Sequence, residues 1–129
     1  MIIQESAENY LETIYMLQKK KGNVRSIDIV GMLGLTKPSV SVAMKNLREN
    51  GYITMDAGTG FIQLTEKGTP IALKMYERHT LLSELLVGLG VDPETAAEDA
   101  CRMEHVISAQ TFEALKKHAH EFGNKAKQE

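Results

Sequence analysis

Residues 26–51, SIDIVGMLGLTKPSVSVAMKNLRENG, contain two short predicted helices joined by a tight turn. Ser26 is a candidate N-cap of the first helix, and Gly34 is a candidate stop at its end. Its predicted buried residues are Ile27, Val30 and Leu33. The second helix is predicted from Pro38 to about Asn50, with Val40, Met44 and Leu47 buried. Two helices joined by three or four residues have the proportions of a helix-turn-helix.

The segments on either side extend this motif to a winged helix. An apolar residue recurs every three or four positions from about Glu5 to Lys20, which predicts a first helix. After the helix-turn-helix, residues 52–55 and 61–64 are short β-prone runs separated by Ala57-Gly58-Thr59-Gly60. Such a pair of runs around turn residues predicts a hairpin, and a hairpin in this place is a wing.

The second half of the chain is predicted to be helical. The pattern indicates helices from Pro70 to Leu89, from Pro93 (with Asp92 as cap) to Val106, and from Ser108 to about Phe122, followed by a frayed polar tail. The predicted fold class is therefore mainly α, with an N-terminal winged helix-turn-helix that carries one β-hairpin wing and a helical domain after it. We predict domains over 1–70 and 71–129, with the first helix contributing to the site of the second domain.

The composition excludes several classes of protein. The chain has 129 residues, of which 43% are hydrophobic and 25% charged, as in a globular domain. It has no apolar run near the roughly 20 residues that span a bilayer. It has one cysteine and no pattern of a secretory signal, so we expect a cytoplasmic protein without a membrane partner. Aromatic residues make up 5% and Trp is absent, which argues against a carbohydrate cleft.

The net charge of −2 hides an asymmetry between the two halves. Residues 13–48 contain seven basic residues and one acid, Asp28, whereas residues 69–129 contain seven basic and ten acidic residues. All four histidines lie in the acidic half. A basic face suits DNA, and an acidic segment with histidines suits a divalent cation, although such blocks are often only solvated surface.

The candidate DNA-binding residues follow from this placement, because a recognition helix presents its N-terminal half to the major groove. They are Arg25, Thr36, Lys37, Pro38, Ser39, Ser41, Val42 and Lys45. Hydroxyls and cations can reach phosphates, and Pro38 and Val42 offer apolar contact to a thymine methyl. The first two turns contain no Arg, Asn or Gln, so we expect phosphate contacts and DNA shape to carry much of the affinity.

The candidate metal ligands centre on Cys101-Arg102-Met103-Glu104-His105. Positions i, i+3 and i+4 share one face of a helix, which brings a thiol, a carboxylate and an imidazole together. His79 on the preceding helix, and Asn9 with Glu12 on the first, are further candidates for a site of five or six ligands. The alternative for each is structural: a core cysteine, a half-buried histidine or a surface glutamate. His118 and His120 point to different helical faces and are read as surface residues.

Three stretches carry a specific resemblance. Residues 8–15 (ENYLETIY), residues 78–82 (RHTLL) and residues 99–108 (DACRMEHVIS) resemble the metal-dependent repressors of the diphtheria-toxin-repressor and manganese-transport-regulator family. The resemblance covers the whole chain.

This resemblance implies a homodimer that binds Fe(II) or Mn(II) and then a palindromic operator of double-stranded DNA, repressing genes of metal-ion uptake. The ligands that it implies are Glu12, His79, Cys101, Glu104, His105 and the residue at position 9. Asn9 stands where the iron-sensing branch has Met and the manganese branch Asp. Cys101 stands where the manganese branch has Glu, and because a thiolate favours a softer ion, Fe(II) is expected first and Mn(II) next.

Two other classes of function remain open at this point. A metal-independent winged-helix regulator or interaction module would keep Cys101 in its core and bind no divalent ion. A metallohydrolase is the weaker alternative, since Cys-x-x-Glu-His resembles metalloprotease helices but its first ligand is not His. We therefore predict a protein that is not an enzyme.

Overall fold

The computed structural model describes residues 5–128, with side chains for residues 6–121. The described residues form six helices and a two-stranded antiparallel hairpin. In chain order these are α1 (Glu5–Lys21), α2 (Ser26–Leu33), α3 (Lys37–Glu49), β1 (Ile53–Met55), β2 (Ile62–Leu64), α4 (Thr69–Gly88), α5 (Pro93–Met103) and α6 (Ala109–Gln128). The mainly α fold is thus confirmed. The chain divides into two compact units between Tyr76 and Glu77, a division that falls inside α4.

The helix-turn-helix of the first unit has the predicted form. Gly34 ends α2 in the left-handed conformation at φ 66°, where a side chain would be strained. Thr36 is the N-cap of α3 and accepts a hydrogen bond from the backbone N–H of Ser39. The predicted buried residues of α3 are confirmed, since Val40, Met44 and Leu47 are all buried.

The buried face and the N-cap of α2 differ from the prediction. Ile29 is the buried residue of α2, whereas Ile27 is 52% exposed. The N-cap position belongs to Arg25 rather than to Ser26. An eight-residue helix has little more than two turns, so three apolar positions do not determine which side faces the core. The packing of α2 on α1 and α3 decides it.

The wing is a short hairpin in which Ile53 faces Leu64 and Met55 faces Ile62. Ile62 also pairs with Val24, donating its backbone N–H to the Val24 carbonyl at 2.7 Å. The segment before α2 therefore continues the sheet, which attaches the wing to the helix-turn-helix. Side chains from α1, α2, α3 and both strands form one core in this unit, which includes Leu11, Ile14, Val24, Ile29, Val40, Met44, Ile53 and Ile62.

The second unit contains the rest of α4 with α5 and α6. Asp92 caps α5 as predicted, accepting hydrogen bonds from the backbone N–H groups of Glu94 and Thr95. The predicted end of α5 at Val106 is wrong, because the helix ends at Met103 and a turn follows. The predicted end of the last helix near Phe122 is also wrong, since α6 continues to Gln128. Lys, Ala and Gln in residues 124–128 favour a helix. The glycine at position 123 lowers helix stability by only about 1 kcal/mol relative to alanine.

None of the helices in the described residues combines the length and apolar character needed to cross a bilayer.

Candidate nucleic-acid interface and metal centre

The proposed DNA-reading residues of α3 lie in its N-terminal part and are accessible. Lys37, Pro38, Ser39, Ser41, Val42 and Lys45 are all exposed. Val42 is 60% exposed even though it lies beside the buried stripe of the helix. The sequence predicted these residues from their place in the N-terminal half of α3, and their exposure leaves them available for a partner.

Two of the predicted hydroxyl contacts are already engaged within the cap of α3. The Thr36 hydroxyl donates to Ser39 Oγ at 2.8 Å, and the Ser39 backbone N–H donates to Thr36 Oγ1 at 3.2 Å. Thr36 therefore acts first as a helix cap, which holds the start of α3 in place. Ser41 is exposed one turn further along α3.

Arg25 lies where the wing joins the helix-turn-helix. Its guanidinium lies over the Phe61 ring, 4.8 Å from the ring centroid. Its backbone N–H donates to Asp28 Oδ2 at 2.8 Å. Phe61 was not among the predicted functional residues, because no local pattern pairs it with an arginine 36 positions earlier. The stack limits the positions that the Arg25 charge can take.

The single acid among residues 13–48 is neutralised locally. Lys21 Nζ lies 2.6 Å from Asp28 Oδ1. The hydrogen bond from Lys21, and then that from the Arg25 backbone, hold the pKa of Asp28 below its ordinary value of 3.8. Asp28 is thus ionised at neutral pH. The positive charge of Lys21 is paired with this carboxylate, so it contributes less to the basic surface than the sequence suggests.

A second acid organises the tip of the wing. Asp56 Oδ2 accepts hydrogen bonds from the backbone N–H groups of Gly58 and Thr59 and from the Thr59 hydroxyl. The Thr59 N–H is the main cause of a lowered pKa of Asp56. The wing tip therefore has a defined turn, with a carboxylate that is committed to backbone hydrogen bonds.

The candidate metal ligands of the second unit converge at the end of α5. Cys101 lies in the last turn of α5, and Glu104 is its C-cap, with φ −60° and ψ −25°. These helical angles preserve the predicted i, i+3 relation, although His105 lies in the following turn and not on the helix. Ligand atoms of Cys101, Glu104 and His105 all lie within 4.8 Å of one another.

The Glu104 carboxylate is enclosed between two imidazoles. Its Oε2 lies 3.1 Å from His79 Nδ1, and its Oε1 lies 3.3 Å from His105 Nε2. The Glu104 side chain is completely buried and that of His105 is 2% exposed. A carboxylate in such a place needs compensating positive charge or protons, because burial of an isolated anion is costly.

These donors fit a first-row divalent ion. Metal–ligand bonds of about 2.0–2.3 Å place two ligand atoms at most about 4.0–4.6 Å apart. The 4.8 Å limit that encloses Cys101, Glu104 and His105 is close to that span. One thiol, one carboxylate and up to two imidazoles form a donor set of mixed softness, which suits Fe(II), Zn(II) or Co(II) and, less well, Mn(II).

The remaining candidates lie in the first unit or at the surface. On α1, Glu12 is buried with 3% exposure, and Asn9 is half-buried. The Asn9 carbonyl accepts a hydrogen bond from the Thr13 hydroxyl at 2.8 Å. His118 and His120 are exposed, in agreement with their interpretation as surface residues.

Two family models match the chain. One, described as "Iron dependent repressor, N-terminal DNA binding domain", matches residues 3–60. The other, described as "Iron dependent repressor, metal binding and dimerisation domain", matches residues 65–125. The transcriptional regulator MntR of Escherichia coli is 34% identical over 122 residues, which cover 95% of this chain and 78% of that protein. The chain belongs to the iron-dependent repressor family.

Other relatives of this family of regulators extend the comparison. An uncharacterized HTH-type transcriptional regulator of Methanocaldococcus jannaschii is 34% identical over 125 residues, covering 95% of this chain and 99% of its own length. The solved structure of the manganese regulator SloR matches with a TM-score of 0.78, 26% identity and 93% of this chain. A manganese-dependent transcriptional repressor solved in complex with manganese matches with a TM-score of 0.78, 26% identity and 87% of this chain. This chain spans 55% and 51% of those two solved chains, respectively.

Proposed function

We propose that this protein is a metal-activated, DNA-binding transcriptional repressor that controls genes of metal-ion uptake or homeostasis. The observation that carries the proposal is the ligand cluster of Cys101, Glu104 and His105, within 4.8 Å, in a member of this repressor family. The exposed residues of α3 supply the second half of the function. The functional domains are proposed as 1–70 and 71–129, and the working compartment as the cytoplasm.

In the proposed metal centre, Cys101 supplies a thiolate, Glu104 a carboxylate, and His79 and His105 imidazole nitrogens. When bound, a divalent ion supplies the positive charge that the buried carboxylate requires. His79 and His105 already contact opposite oxygens of Glu104, so few side chains need to move when an ion binds. Preorganised ligands of this kind lower the entropy cost of binding.

For Glu12 and Asn9, ligation is a proposal that rests on the family resemblance. Glu12 is a buried carboxylate on a helix of the DNA-binding unit, which is why a ligand at this position would let metal occupancy influence DNA binding. Asn9 can offer only a neutral carbonyl oxygen. We expect Glu12→Gln to weaken the response of DNA affinity to metal, and Asn9→Ala to have a smaller effect.

The metal is proposed to be Fe(II), with Mn(II) as the second candidate. Cys101 favours Fe(II), because thiolate ligands prefer the softer ion. The manganese regulators among the structural relatives favour Mn(II). The Cys101→Glu variant addresses the choice directly, since replacing sulfur by a carboxylate is expected to shift preference from Fe(II) towards Mn(II).

The proposed DNA-binding surface comprises Arg25, Thr36, Lys37, Pro38, Ser39, Ser41, Val42 and Lys45. Because Thr36 and Ser39 are engaged in the cap, Lys37, Ser41, Val42 and Lys45 are expected to make most of the contacts from α3. Two copies of α3 placed about 34 Å apart would read successive turns of a palindromic operator.

The partner in that arrangement is proposed to be a second copy of the chain. An apolar groove of about 840 Å³ in the second unit is lined largely by leucines, including Leu82, Leu85 and Leu86 of α4 and Leu89 directly after it. Leu89 is 80% exposed, and contiguous exposed apolar surface is typical of an interface. Light scattering should give twice the chain mass of 14.3 kDa. Leu89→Glu should reduce that mass, whereas Leu73→Glu, an exposed leucine in the first unit, should not.

The function is tested by anaerobic titration of metal-free protein with Fe(II), Mn(II) and Zn(II). Metal stoichiometry is measured by equilibrium dialysis, and DNA affinity by fluorescence anisotropy on a duplex selected from a random library with metal-loaded protein. We expect metal to raise the affinity by about 5–150-fold, the usual range of allosteric coupling. An affinity that does not change with metal would contradict the switch, and an absence of divalent binding would favour a metal-independent winged-helix regulator.

A further inference from the structure

We infer that Arg78 is a positioning residue that holds the turn carrying two of the proposed metal ligands, Glu104 and His105. This inference deepens the proposed metal site and rests on it. Arg78 was not among the predicted ligands, and a guanidinium is not a metal ligand, so its effect would come through the peptide backbone of the turn.

The contacts of Arg78 bracket the turn after α5. Its side chain lies in the second unit and the residue is only 4% exposed. Nη1 donates one hydrogen bond to the carbonyl of Glu104 at 2.9 Å and another to the carbonyl of Ile107 at 3.0 Å. One guanidinium nitrogen therefore holds both ends of residues 104–107.

Consecutive residues of α4 contact the same glutamate in two ways. Arg78 contacts the backbone carbonyl of Glu104, and His79 Nδ1 contacts its carboxylate at 3.1 Å. The Arg78 guanidinium also lies over the ring of Phe112, 5.3 Å from the centroid. Arg78 thus joins α4, the ligand turn and α6, and it fixes the direction in which the side chain of Glu104 leaves the backbone.

This arrangement has a physical consequence for the ligand turn. Residues 104–107 form a turn in which Glu104 donates its backbone N–H to Ala100, and Val106 and Ile107 donate theirs to Met103. The carbonyls of Glu104 and Ile107 accept from Arg78 instead of from a following turn of helix. Charge-assisted hydrogen bonds to a buried guanidinium add to the backbone hydrogen bonds of the turn, and they are stronger than neutral ones. Losing an outer partner of a metal site commonly weakens metal binding by about 10–100-fold.

The test compares Arg78→Met, Arg78→Lys and a control, Arg102→Met, in the full chain. Met removes the hydrogen bonds and keeps an unbranched side chain, while Lys keeps the charge and a donor. Arg102 is exposed and lies next to Cys101, so its substitution removes a nearby charge without touching the turn. Co(II) and Zn(II) affinities are measured by competition with a chelator, together with the thiolate-to-Co(II) absorption band and the thermal melting of the metal-free protein.

We expect Arg78→Met to weaken Co(II) and Zn(II) binding by about 10–100-fold and to alter the absorption band, with Arg78→Lys recovering part of the loss. Arg102→Met should bind like the wild type. If Arg78→Met folds and binds as tightly as Arg102→Met, the inference is wrong while the metal site stands. If the wild type itself binds neither ion, the proposed metal site is wrong.

A measurement on the wild type covers the case in which Arg78→Met does not fold. Hydrogen exchange of arginine side chains, followed by NMR in the metal-free protein, should show slow exchange at Arg78 and fast exchange at Arg102. Fast exchange at Arg78 would show that the turn is not held before metal binds, and would overturn the inference.

Discussion

Glu104 combines complete burial with a charge that a protein interior disfavours. Its two oxygens lie 3.1 and 3.3 Å from imidazole nitrogens of His79 and His105. An uncompensated buried carboxylate is costly, and the two imidazoles are the groups that lie against its oxygens. A divalent ion can provide compensating charge, which makes Glu104 the residue on which metal binding should depend most.

We therefore expect Glu104→Gln to weaken Fe(II), Mn(II) and Zn(II) binding by more than about 100-fold, a larger effect than the loss of an outer partner. The substitution keeps the size of the side chain, so the metal-free protein should remain folded. Dialysis and circular dichroism measure the two effects. Glu98→Gln, at an exposed position of α5, is the matched control. Equal metal binding by both variants would remove Glu104 from the site.

At Gly68 the choice of residue is limited by steric space and not by charge. A Cβ atom at this position would lie 2.1 Å from the backbone oxygen of Tyr52. The same turn is joined to the segment after α3 by a hydrogen bond from the Thr65 hydroxyl to the Gly51 carbonyl at 2.6 Å. A backbone atom cannot rotate away as a side chain does, so only glycine fits this approach.

Gly68→Ala should lower the free energy of unfolding by about 1–3 kcal/mol, the usual cost of overpacking. Gly31→Ala is the contrasting control. Gly31 lies inside α2, where an added methyl group would meet no neighbouring atom within 4 Å, and alanine there should stabilise by about 0.5–1 kcal/mol. Urea unfolding of both variants measures the difference. If both substitutions changed the free energy of unfolding in the same direction, the steric argument would be contradicted.

Among the elements, α2 shows how local charges can start a short helix. The backbone N–H of Arg25 donates to the Asp28 carboxylate, and the N–H of Asp28 donates to the Arg25 carbonyl at 3.0 Å. Lys21 completes the arrangement by pairing with Asp28. These contacts link the end of α1 to the start of α2, and they explain why Ser26 is not needed as a cap.

Asp28→Ala should therefore destabilise the protein by about 1 kcal/mol at pH 7, the usual value of a helix cap. The pKa of Asp28 is lowered in the folded state, so its charge stabilises the fold above the ordinary value of 3.8, and this stabilisation is lost as the pH falls through the lowered pKa. Unfolding measured at several pH values should show the variant and wild type converging in acid. Asp28→Asn, which keeps a hydrogen-bond acceptor, should lie between them.

If the wild type remained more stable than Asp28→Ala at pH values below the folded-state pKa of Asp28, the charge of Asp28 would not be the cause of the difference in stability. Lys21 is 45% exposed at its side chain, so the ion pair itself should contribute only a few tenths of a kcal/mol. The larger part is expected from the hydrogen bond to the Arg25 backbone.

At the scale of the whole molecule, net charge is a poor guide to the partner. The chain carries −2 overall, yet the exposed surface of α3 includes Lys37 and Lys45. Binding to DNA depends on local cations, because each neutralised phosphate releases counterions. Ten of the 17 acidic residues lie in residues 69–129, outside α3.

DNA affinity should accordingly fall as salt rises, and Lys45→Gln should make that dependence shallower. The slope of log affinity against log salt is expected to change by about 0.9 for each Lys45 that contacts a phosphate. Lys74→Gln, at an exposed lysine of α4 in the same unit, should leave the slope unchanged. Anisotropy titrations at several salt concentrations measure it. Identical slopes for the two variants would place Lys45 outside the DNA contact.

Local spacing was enough to predict the element order, the buried face of α3, the Asp92 cap and the grouping of Cys101 with Glu104 and His105. Helix and strand periods, turn residues and caps act over a few positions, so they can be read from the sequence itself. The same logic failed where a segment was too short or irregular, as for Ile27 in α2 and for the end of α5.

Only the tertiary structure decided which distant residues meet. The contacts of His79 and Arg78 with Glu104 span 25 and 26 positions. The stack of Arg25 on Phe61, the pairing of Val24 with Ile62 and the approach of Gly68 to Tyr52 have no local signature either. Such contacts depend on how whole elements pack against one another, and packing is a property of the shared core rather than of any single stretch of chain.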